Sequence, residues 1–393
     1  MNRSATSLRV SLSSFLLLAL FSPNLVPGVF AQRRRAAQGA ARGLQPEVSR
    51  MLREINAGNI ERTVRKLVSF GTRNTLSAQD DPARGVGAAR DWLFREFKEI
   101  SSQTGGRLEV ELQSFEQQPG RFQRIARPTR VTNVVARLPG TPKQQKTNVE
   151  AMFTNDIVGN TLGGNGVRDR RTLRVFAEGV PSAETPEEAA TRRSVGGEND
   201  SAPRQLARFV VETSAGYLPG FRVQMVYRRD RYLRGGDHIP FLEQGYPAVR
   251  FSEPNEDYNH QHQNVRVEGG VRYGDLPEFV DFEYVAQVAR VNCAALAALA
   301  LAPARPTDVR ILTRRLTNDT DLQWAANTEP DLAGYEIVWR DTTSPVWTHA
   351  LRVGRVTSHT VKGMSKDNYF FGVRAVDAEG NRSPATYPRP LGR

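Results

Sequence analysis

The sequence predicts an α/β domain, with a mixed sheet flanked by helices, and after it an antiparallel β-sandwich. Three observations lead to this prediction. Helical periodicity alternates with short apolar runs up to residue 301, the proline-containing segment LAPARP follows at 301–306, and the rest of the chain shows short alternating strands separated by turn signals. The chain has 393 residues, of which 39% are hydrophobic, so it can form two or three domains with a large core.

The first 31 residues are expected to be a signal peptide. Arg3 and Arg9 supply positive charge, an apolar centre follows at 15–21, and Val29-Phe30-Ala31 offers a small-residue cleavage site. An uncleaved anchor is the alternative, but the apolar run is far shorter than the ~20 residues that a membrane span needs. We therefore expect a secreted or periplasmic protein without a transmembrane segment in the mature chain.

The charge distribution and the cysteine content indicate which partners and which covalent cross-links the chain can have. The formal net charge is +12, but the one compact arginine cluster lies in residues 32–45, a polar Gly- and Ala-rich segment that we expect to be a basic disordered linker. No basic stripe interleaved with aromatic residues is present, so nucleic acid is not an expected partner. Cys293 is the only cysteine. An intramolecular disulfide is therefore impossible, and packing, with or without a metal, has to stabilise the fold.

The elements of the first domain, predicted for residues 46–302, follow from hydrophobic periodicity. Apolar residues recur every three to four positions near 60–68 and 86–100, which predicts two helices. Alternating or continuous apolar runs after these two helices predict strands. The predicted strands are 108–112, 131–138, a strand ending at Asp156, 221–227 and 248–251, and further helices are predicted at 204–211 and 279–301.

The second domain is predicted for residues 305–393. Its predicted strands are 309–311, 322–324, 335–339, 359–361 and 369–375. The segment NYFFGVRAVDAEGNRSPA, with Trp324 and Tyr335 ahead of it, resembles a fibronectin type III domain. The resemblance implies a spacer or an adhesive unit whose partner would be a surface protein or a glycan. No residues with catalytic chemistry stand out in this part.

Two segments carry residues suited to metal chemistry. Asp156 ends an apolar run and is followed by a Gly/Asn turn, as expected for a carboxylate at the carboxyl edge of an α/β sheet. A turn-capping aspartate is the alternative. About a hundred residues later, GGDHIPFLEQGYPAVRF is followed by EDYNHQHQN, which contains His260 and His262. Imidazoles and carboxylates are the ligands of hydrolytic zinc sites.

Together these segments resemble the M-twenty-eight metallopeptidase family, which contains two-zinc aminopeptidases and glutamate carboxypeptidase-like enzymes. The resemblance covers residues 46–300 and also rests on GTRNT at 71–75, RGVGAARDWL at 84–93 and TNVVARLPGT at 132–141. It implies a zinc-exopeptidase-like mixed sheet, zinc as cofactor, a peptide substrate, and Asp156 and His260 as metal ligands. His262 is a rival for His260, and an exposed, solvated histidine is the alternative for either. The family carries an acidic residue four positions after the ligand, and counted from His260 that position is Asn264 here.

The resemblance also implies three residues of a substrate pocket. Asp237 and His238 follow a glycine where the family has Ser-Asp-His, and Tyr258 would donate to the oxyanion of the substrate. The alternatives are structural. Asp237 would cap a helix, His238 would pack in the core, and Tyr258 would be half-buried.

The family's other metal ligands have no counterpart in this sequence. The family carries a His-x-Asp, a bridging Asp and a Glu-Glu pair between the LPGT turn and the strand that ends at Asp156, and here only residues 142–147 fill that interval. Two βα units would need roughly 60–100 residues. The general-base Glu is therefore absent, and we expect missing central βα units, exposed apolar edges, weak or absent zinc binding and no activity.

Three hypotheses remain at this point. The chain is by lineage a secreted zinc exopeptidase of the aminopeptidase type; or it is a non-catalytic secreted binding or adhesion protein built on a degenerate peptidase domain; or a coding segment was lost through an in-frame deletion or a gene-prediction error. The motifs on either side of the gap still match the family pattern. This favours the loss of one segment over a gradual accumulation of substitutions in an inactive site.

Overall fold

The computed structural model describes residues 44–120, 125–140 and 149–391. The predicted signal peptide and nearly all of the predicted linker lie outside the described residues. The described α-helices are α1 (Pro46–Glu54), α2 (Ala57–Ser69), α3 (Gly85–Gln103), α4 (Pro186–Ser194), α5 (Ala202–Tyr217), α6 (Ile239–Glu243) and α7 (Phe282–Leu301). The strands of the first part are β1 (Glu109–Gln117), β2 (Thr129–Arg137), β3 (Met152–Asn155), β4 (Thr172–Ala177), β5 (Arg222–Val226), β6 (Ala248–Ser252), β7 (Arg266–Glu268) and β8 (Val271–Tyr273).

A four-stranded mixed sheet forms the centre of the first part. Its strand order is β3-β6-β4-β5, with β3 parallel to β6, β4 antiparallel to β6 and β4 parallel to β5. All five residues of β6 are buried, and Leu173, Val175, Val249 and Phe251 are fully buried in one core. The prediction of a mixed α/β fold is therefore confirmed.

Helices α5 and α7 contribute to this core. Ala207 and Val210 of α5 and Val291 of α7 are fully buried with the sheet residues, and the Tyr284 hydroxyl donates to the Thr172 carbonyl at 2.9 Å. Asp281 caps α7 by accepting from the Tyr284 amide. Among the described residues, α7 is the one helix whose length and apolar composition would allow it to cross a membrane, and a third of its most apolar window is buried in the fold.

Strands β1 and β2 form a separate antiparallel hairpin. They pair over nine positions, from Glu109 opposite Arg137 to Gln117 opposite Thr129, and contact α3 but form a sheet of their own. Val110 is buried, whereas the side chain of Phe115 is half exposed. A second small core lies nearby and contains Phe70, Ala88 and Ala89. The consecutive strands β2 and β3 therefore belong to two different sheets.

The C-terminal part is β-rich, as predicted. Its strands are β9 (Arg310–Leu312), β10 (Thr320–Gln323), β11 (Leu332–Asp341), β12 (His349–Gly354), β13 (Ser358–Val361), β14 (Tyr369–Asp377) and β15 (Arg389–Leu391). They form one sheet in the order β13-β10-β9-β15 and another in the order β12-β11-β14. Leu322 and Val361 of the first sheet share a core with Ile337 and Phe371 of the second, which makes this part a β-sandwich.

One pair departs from the antiparallel arrangement that the sequence predicts. Strand β15, at the end of the chain, runs parallel to β9, with Arg389 opposite Arg310. Strands β12 and β15 had no counterpart in the predicted set. The residues of β12 alternate between partly buried and exposed, and β15 is short and contains Pro390, so neither gives a strong apolar signal.

Candidate functional site

Asp156 lies directly after β3, in a constrained turn. The next residue, Ile157, has φ of +65°, which is rare for a β-branched residue. The Ile157 carbonyl accepts from the Glu253 amide at 2.9 Å and from the Ser252 hydroxyl at 3.3 Å, so β6 holds this conformation in place. The Asp156 amide in turn donates to the Phe251 carbonyl at 3.2 Å. The backbone around Asp156 is therefore tied to the end of β6.

The Asp156 carboxylate is engaged by arginine. Its Oδ2 lies 2.9 Å from Nη2 of Arg250, whose side chain is fully buried, and 3.7 Å from Nη2 of Arg231. Arg250 also pairs with the buried Asp230 at 3.2 Å and donates to the Gly235 carbonyl at 3.0 Å. Burial lowers the pKa of Arg250, and the two carboxylates act against that shift. Asp156 is thus a counter-ion of a buried guanidinium.

A second carboxylate, Glu256, gathers three arginines. Its side chain is 3% exposed and pairs with Arg174 at 3.1 Å, Arg231 at 3.3 Å and Arg234 at 3.0 Å. Burial acts to raise the pKa of Glu256, but the Gln261 amide and the arginines outweigh it, and the pKa is lowered. Because Arg231 touches both Asp156 and Glu256, a chain of ion pairs links the end of β3 to the segment that carries His260.

His260 lies on a short 3₁₀ turn formed by residues 258–260. Its ring stacks on Phe279 with centroids 3.5 Å apart, and Nδ1 is 3.4 Å from Oδ2 of Asp257. A cavity of about 490 Å³ lies beside it, lined by Asn160, Arg170, Asp257, Glu278 and Asp281 among others. His262 is exposed and has φ of +53°. Of the two histidines, His260 is the one that lines this cavity.

The three residues predicted for a substrate pocket lie in different surroundings. His238 is fully buried, its Nε2 is 2.8 Å from the Arg229 carbonyl and therefore donates to it, and burial lowers the pKa of this imidazole. Asp237, its neighbour, is exposed. Tyr258 is 64% exposed, with the Arg234 guanidinium 5.8 Å from its ring centroid. The buried environment of His238 resembles the packing alternative more than a pocket lining.

A second cavity, of about 540 Å³, lies at the arginine segment, residues 228–235, with Ile239 and Glu243 completing its lining. The segment contributes four arginines, and Tyr232 and Leu233 at its tip are 75% and 96% exposed. Arg231 connects this cavity to Asp156 through the 3.7 Å contact described above. Asp156 therefore lies in a network of arginines and carboxylates, and two of these carboxylates, Asp230 and Glu243, also line the cavity.

Sequence reasoning did not single out Glu253, a titratable residue near Asp156. Glu253 is 1% exposed, and its carboxyl oxygen accepts from the Asn160 amide at 2.7 Å. Burial raises the pKa of Glu253 to about 8. The available signal was a glutamate placed immediately after the apolar strand β6, but the sequence did not show which loop it would meet.

The described residues do not form a zinc site around Asp156 and His260. Among them, the one group of three potential ligands within 4.8 Å of one another is Asp331, Asp377 and Glu379, which lies in the sandwich. Asp377 there accepts hydrogen bonds from Asn381. A catalytic zinc needs three protein ligands and an open position. Asp156 is bound to arginine instead, so this donor set does not fit the metal.

No family model matches the chain. The chain is 41% identical to a probable zinc metalloprotease of Leptosphaeria maculans, over 88% of this chain and 97% of that protein. It is 40% identical to a probable zinc metalloprotease of Pyrenophora tritici-repentis, over 88% of this chain and 87% of that protein. A solved Fn3-like protein from Clostridium thermocellum is 22% identical over 23% of this chain and 97% of its own length, with a TM-score of 0.20, which is too low to establish a shared fold.

The lengths of these alignments are informative. The alignment to the Leptosphaeria protein spans 423 positions, which exceeds the 393 residues of the whole chain. Since 88% of 393 residues is about 346, about 77 of the 423 positions are occupied in the relative and not in this chain. The Pyrenophora alignment has the same length and the same coverage of this chain.

Proposed function

Because the chain belongs to the family of zinc metalloproteases that these fungal relatives represent, we propose that it is an aminopeptidase-type exopeptidase of M-twenty-eight ancestry that has lost its catalytic centre. Intact members would act on peptides with two zinc ions, and this chain would bind zinc weakly or not at all. The observation that carries the proposal is the ion pair between Asp156 and Arg250, at 2.9 Å. A carboxylate engaged by a buried guanidinium is a poor metal ligand, because a bound cation would compete with Arg250 for Asp156 and leave Asp230, among the described residues, as the one remaining counter-ion of that guanidinium.

The break between the two sheets supports the loss of an internal segment. Strand β2 ends at Arg137 and β3 begins at Met152, and the two strands lie in separate sheets. The surplus of about 77 positions in the relatives matches the length of two βα units, at roughly 30 or more residues each. Two such units inserted between β2 and β3 would join the hairpin to the four-stranded sheet and would bring further ligands to the edge at Asp156.

The test is zinc analysis and peptidase assay of the purified chain, with the Leptosphaeria relative as comparator. We expect substoichiometric zinc by mass spectrometry and no release of p-nitroaniline from aminoacyl p-nitroanilides. Two zinc ions per chain, together with hydrolysis that a chelator abolishes, would contradict the proposal. Zinc binding without hydrolysis would contradict only the part that concerns the metal.

The arginine-lined cavity favours a second candidate, a non-catalytic binding role. Its lining includes the exposed Arg228 together with Arg231 and Arg234, which already pair with Glu256, and guanidinium groups recognise carboxylates in a bidentate manner. A peptide with a free carboxylate is the ligand class that suits this lining. Calorimetric titration with a tripeptide whose one carboxylate is its C-terminus, and with the C-terminal amide of the same peptide, tests this role, which requires that only the free acid binds.

We also propose that the protein is secreted or periplasmic and that the C-terminal sandwich is a fibronectin type III domain able to meet a surface protein or glycan. Both proposals rest on the sequence: the signal-peptide pattern of the first 31 residues and the strand pattern that ends in NYFFGVRAVDAEGNRSPA. Amino-terminal sequencing of the exported protein should then begin at Gln32.

A further inference from the structure

The sandwich and the α/β part meet at a buried group of three charges. Asp200 places Oδ1 3.0 Å from Nη1 of Arg208 on α5 and Oδ2 2.7 Å from Nη2 of Arg340 on β11. The three side chains are between 0% and 2% exposed. One carboxylate therefore bridges two guanidinium groups, one from each side of the contact.

Aromatic side chains of the sandwich enclose this triad. The Arg340 guanidinium lies 4.5 Å from the ring centroid of Phe370 and 5.4 Å from that of Trp347. The Arg208 guanidinium, which belongs to α5, lies 5.5 Å from the ring centroid of the same Trp347. Rings at these distances attract cations while excluding water, and the exclusion of water strengthens the ion pairs.

The loop between β11 and β12 extends this contact toward the candidate site. The Pro345 carbonyl accepts from Nε of Arg208 at 2.8 Å and from the Tyr227 hydroxyl at 3.3 Å. Tyr227 immediately follows β5 and precedes the arginine segment 228–235. The Arg204 guanidinium lies 4.1 Å from the Tyr227 ring centroid on the α5 side. The sandwich thus holds the base of the arginine segment.

The arginine segment leads from there to Asp156 and to the buried histidine. Arg231 contacts both Asp156, at 3.7 Å, and Glu256, at 3.3 Å. The Arg229 carbonyl accepts from His238 at 2.8 Å. A displacement of Tyr227, at the base of the segment, would therefore shift Arg231 and change its ion pairs with Asp156 and Glu256.

We propose that the C-terminal sandwich is a docked positioning domain, which fixes α5 through the Arg208–Asp200–Arg340 triad and fixes the arginine segment 228–235 through Pro345. Asp200 and Arg340 are positioning residues. Buried charges tolerate the loss of a partner poorly, because the remaining ions stay desolvated without compensation. Docking is thus a requirement of the folded state, and the β11 side of the sandwich is occupied by the chain's own α5.

The test compares Asp200→Asn with Asp341→Asn in the full chain. Asp341 is an exposed carboxylate next to Arg340 at the end of β11, so its variant changes net charge equally without touching the triad. We expect Asp200→Asn to lower the Tm by roughly 5–15 °C and Asp341→Asn to leave it unchanged. We further expect hydrogen exchange in residues 228–235 to become at least several-fold faster in Asp200→Asn only.

Two results would overturn the proposal. One is a Tm for Asp200→Asn equal to that of Asp341→Asn. The other is faster exchange that stays within residues 195–208 while 228–235 keeps its wild-type rate, since Asp200 would then act only locally. If Asp200→Asn does not fold, Arg340→Lys replaces it. This variant keeps the charge but loses the planar fork and the ring contacts, and the same pattern is expected at smaller amplitude.

Discussion

Glu253 shows how one buried carboxyl group stabilises the turn that carries Asp156. It accepts from the Asn160 amide at 2.7 Å, four residues after Asp156, while its own amide donates to the Ile157 carbonyl at 2.9 Å. Burial raises the pKa of this group from 4.5 to about 8. The folded protein therefore keeps Glu253 protonated at pH values where the unfolded chain has released the proton.

This difference gives a pH-dependent stability. The contribution of Glu253 is complete below pH 4.5 and is lost as the pH rises toward about 8, at about 1.4 kcal/mol per pH unit. We expect Glu253→Gln to keep the hydrogen-bond acceptor, to flatten the fall in unfolding free energy between pH 5 and 8, and to be roughly 3 kcal/mol more stable than the native chain at pH 8. Urea titrations of both proteins at several pH values between 5 and 8 measure the unfolding free energy.

The matched control is Glu268→Gln, which removes an exposed carboxylate on β7. Its unfolding free energy should follow the native pH profile. If Glu253→Gln also follows the native profile, Glu253 is ionised in the folded state and the proposed effect of burial is wrong.

Among the strands of nine or more residues, those of the β1–β2 hairpin are the least well covered. Within the described part of the chain it pairs with no other strand, and side chains on the Phe115 face of β1 are exposed. An exposed strand edge beside apolar side chains is a template for association. This arrangement is expected when neighbouring strands have been removed, and it predicts self-association through the hairpin.

We expect Phe115→Lys to reduce self-association, because it places a charge where Phe115 leaves half of its surface in solvent. Static light scattering against concentration measures the effect, and the free energy of unfolding should change by less than about 0.5 kcal/mol. Gln113→Lys adds the same charge on the same face and keeps the phenylalanine. If both variants reduce scattering equally, net charge rather than the apolar patch controls association.

For the whole molecule, the missing length is the dominant feature. We expect that replacing residues 141–148 with the residues that the Leptosphaeria protein carries between its counterparts of β2 and β3 will restore zinc binding, peptidase activity and a higher Tm. The restored strands would bury the edges of β2 and β3 together. A Gly/Ser segment of equal length should restore none of these, and a chimera that stays inert and metal-free would show that the surplus belongs elsewhere in the chain.

Local patterns in the sequence were enough to predict many of the elements. The spacing of apolar residues predicts helices α2, α3 and α7 at the positions where the structure has them. It also predicts strands β9, β10 and β11. Helix α4 was not predicted, because its nine residues are mostly polar and it is marked mainly by the capping box of Thr185 and Glu188. Asp156 does end a strand, as its sequence context predicts.

The sequence by itself thus determined many of the helices and strands, though not, for example, β4, β12, β15 or α4, and that Asp156 follows a strand, because these properties depend on neighbours within a few residues. Only the tertiary structure decided that Asp156 meets Arg250, that His238 is buried against the Arg229 carbonyl, and that Asp200 joins Arg208 to Arg340. These contacts join residues as far as 140 positions apart in the chain. Their choice depends on which charges are desolvated together, and this is settled by packing rather than by local periodicity.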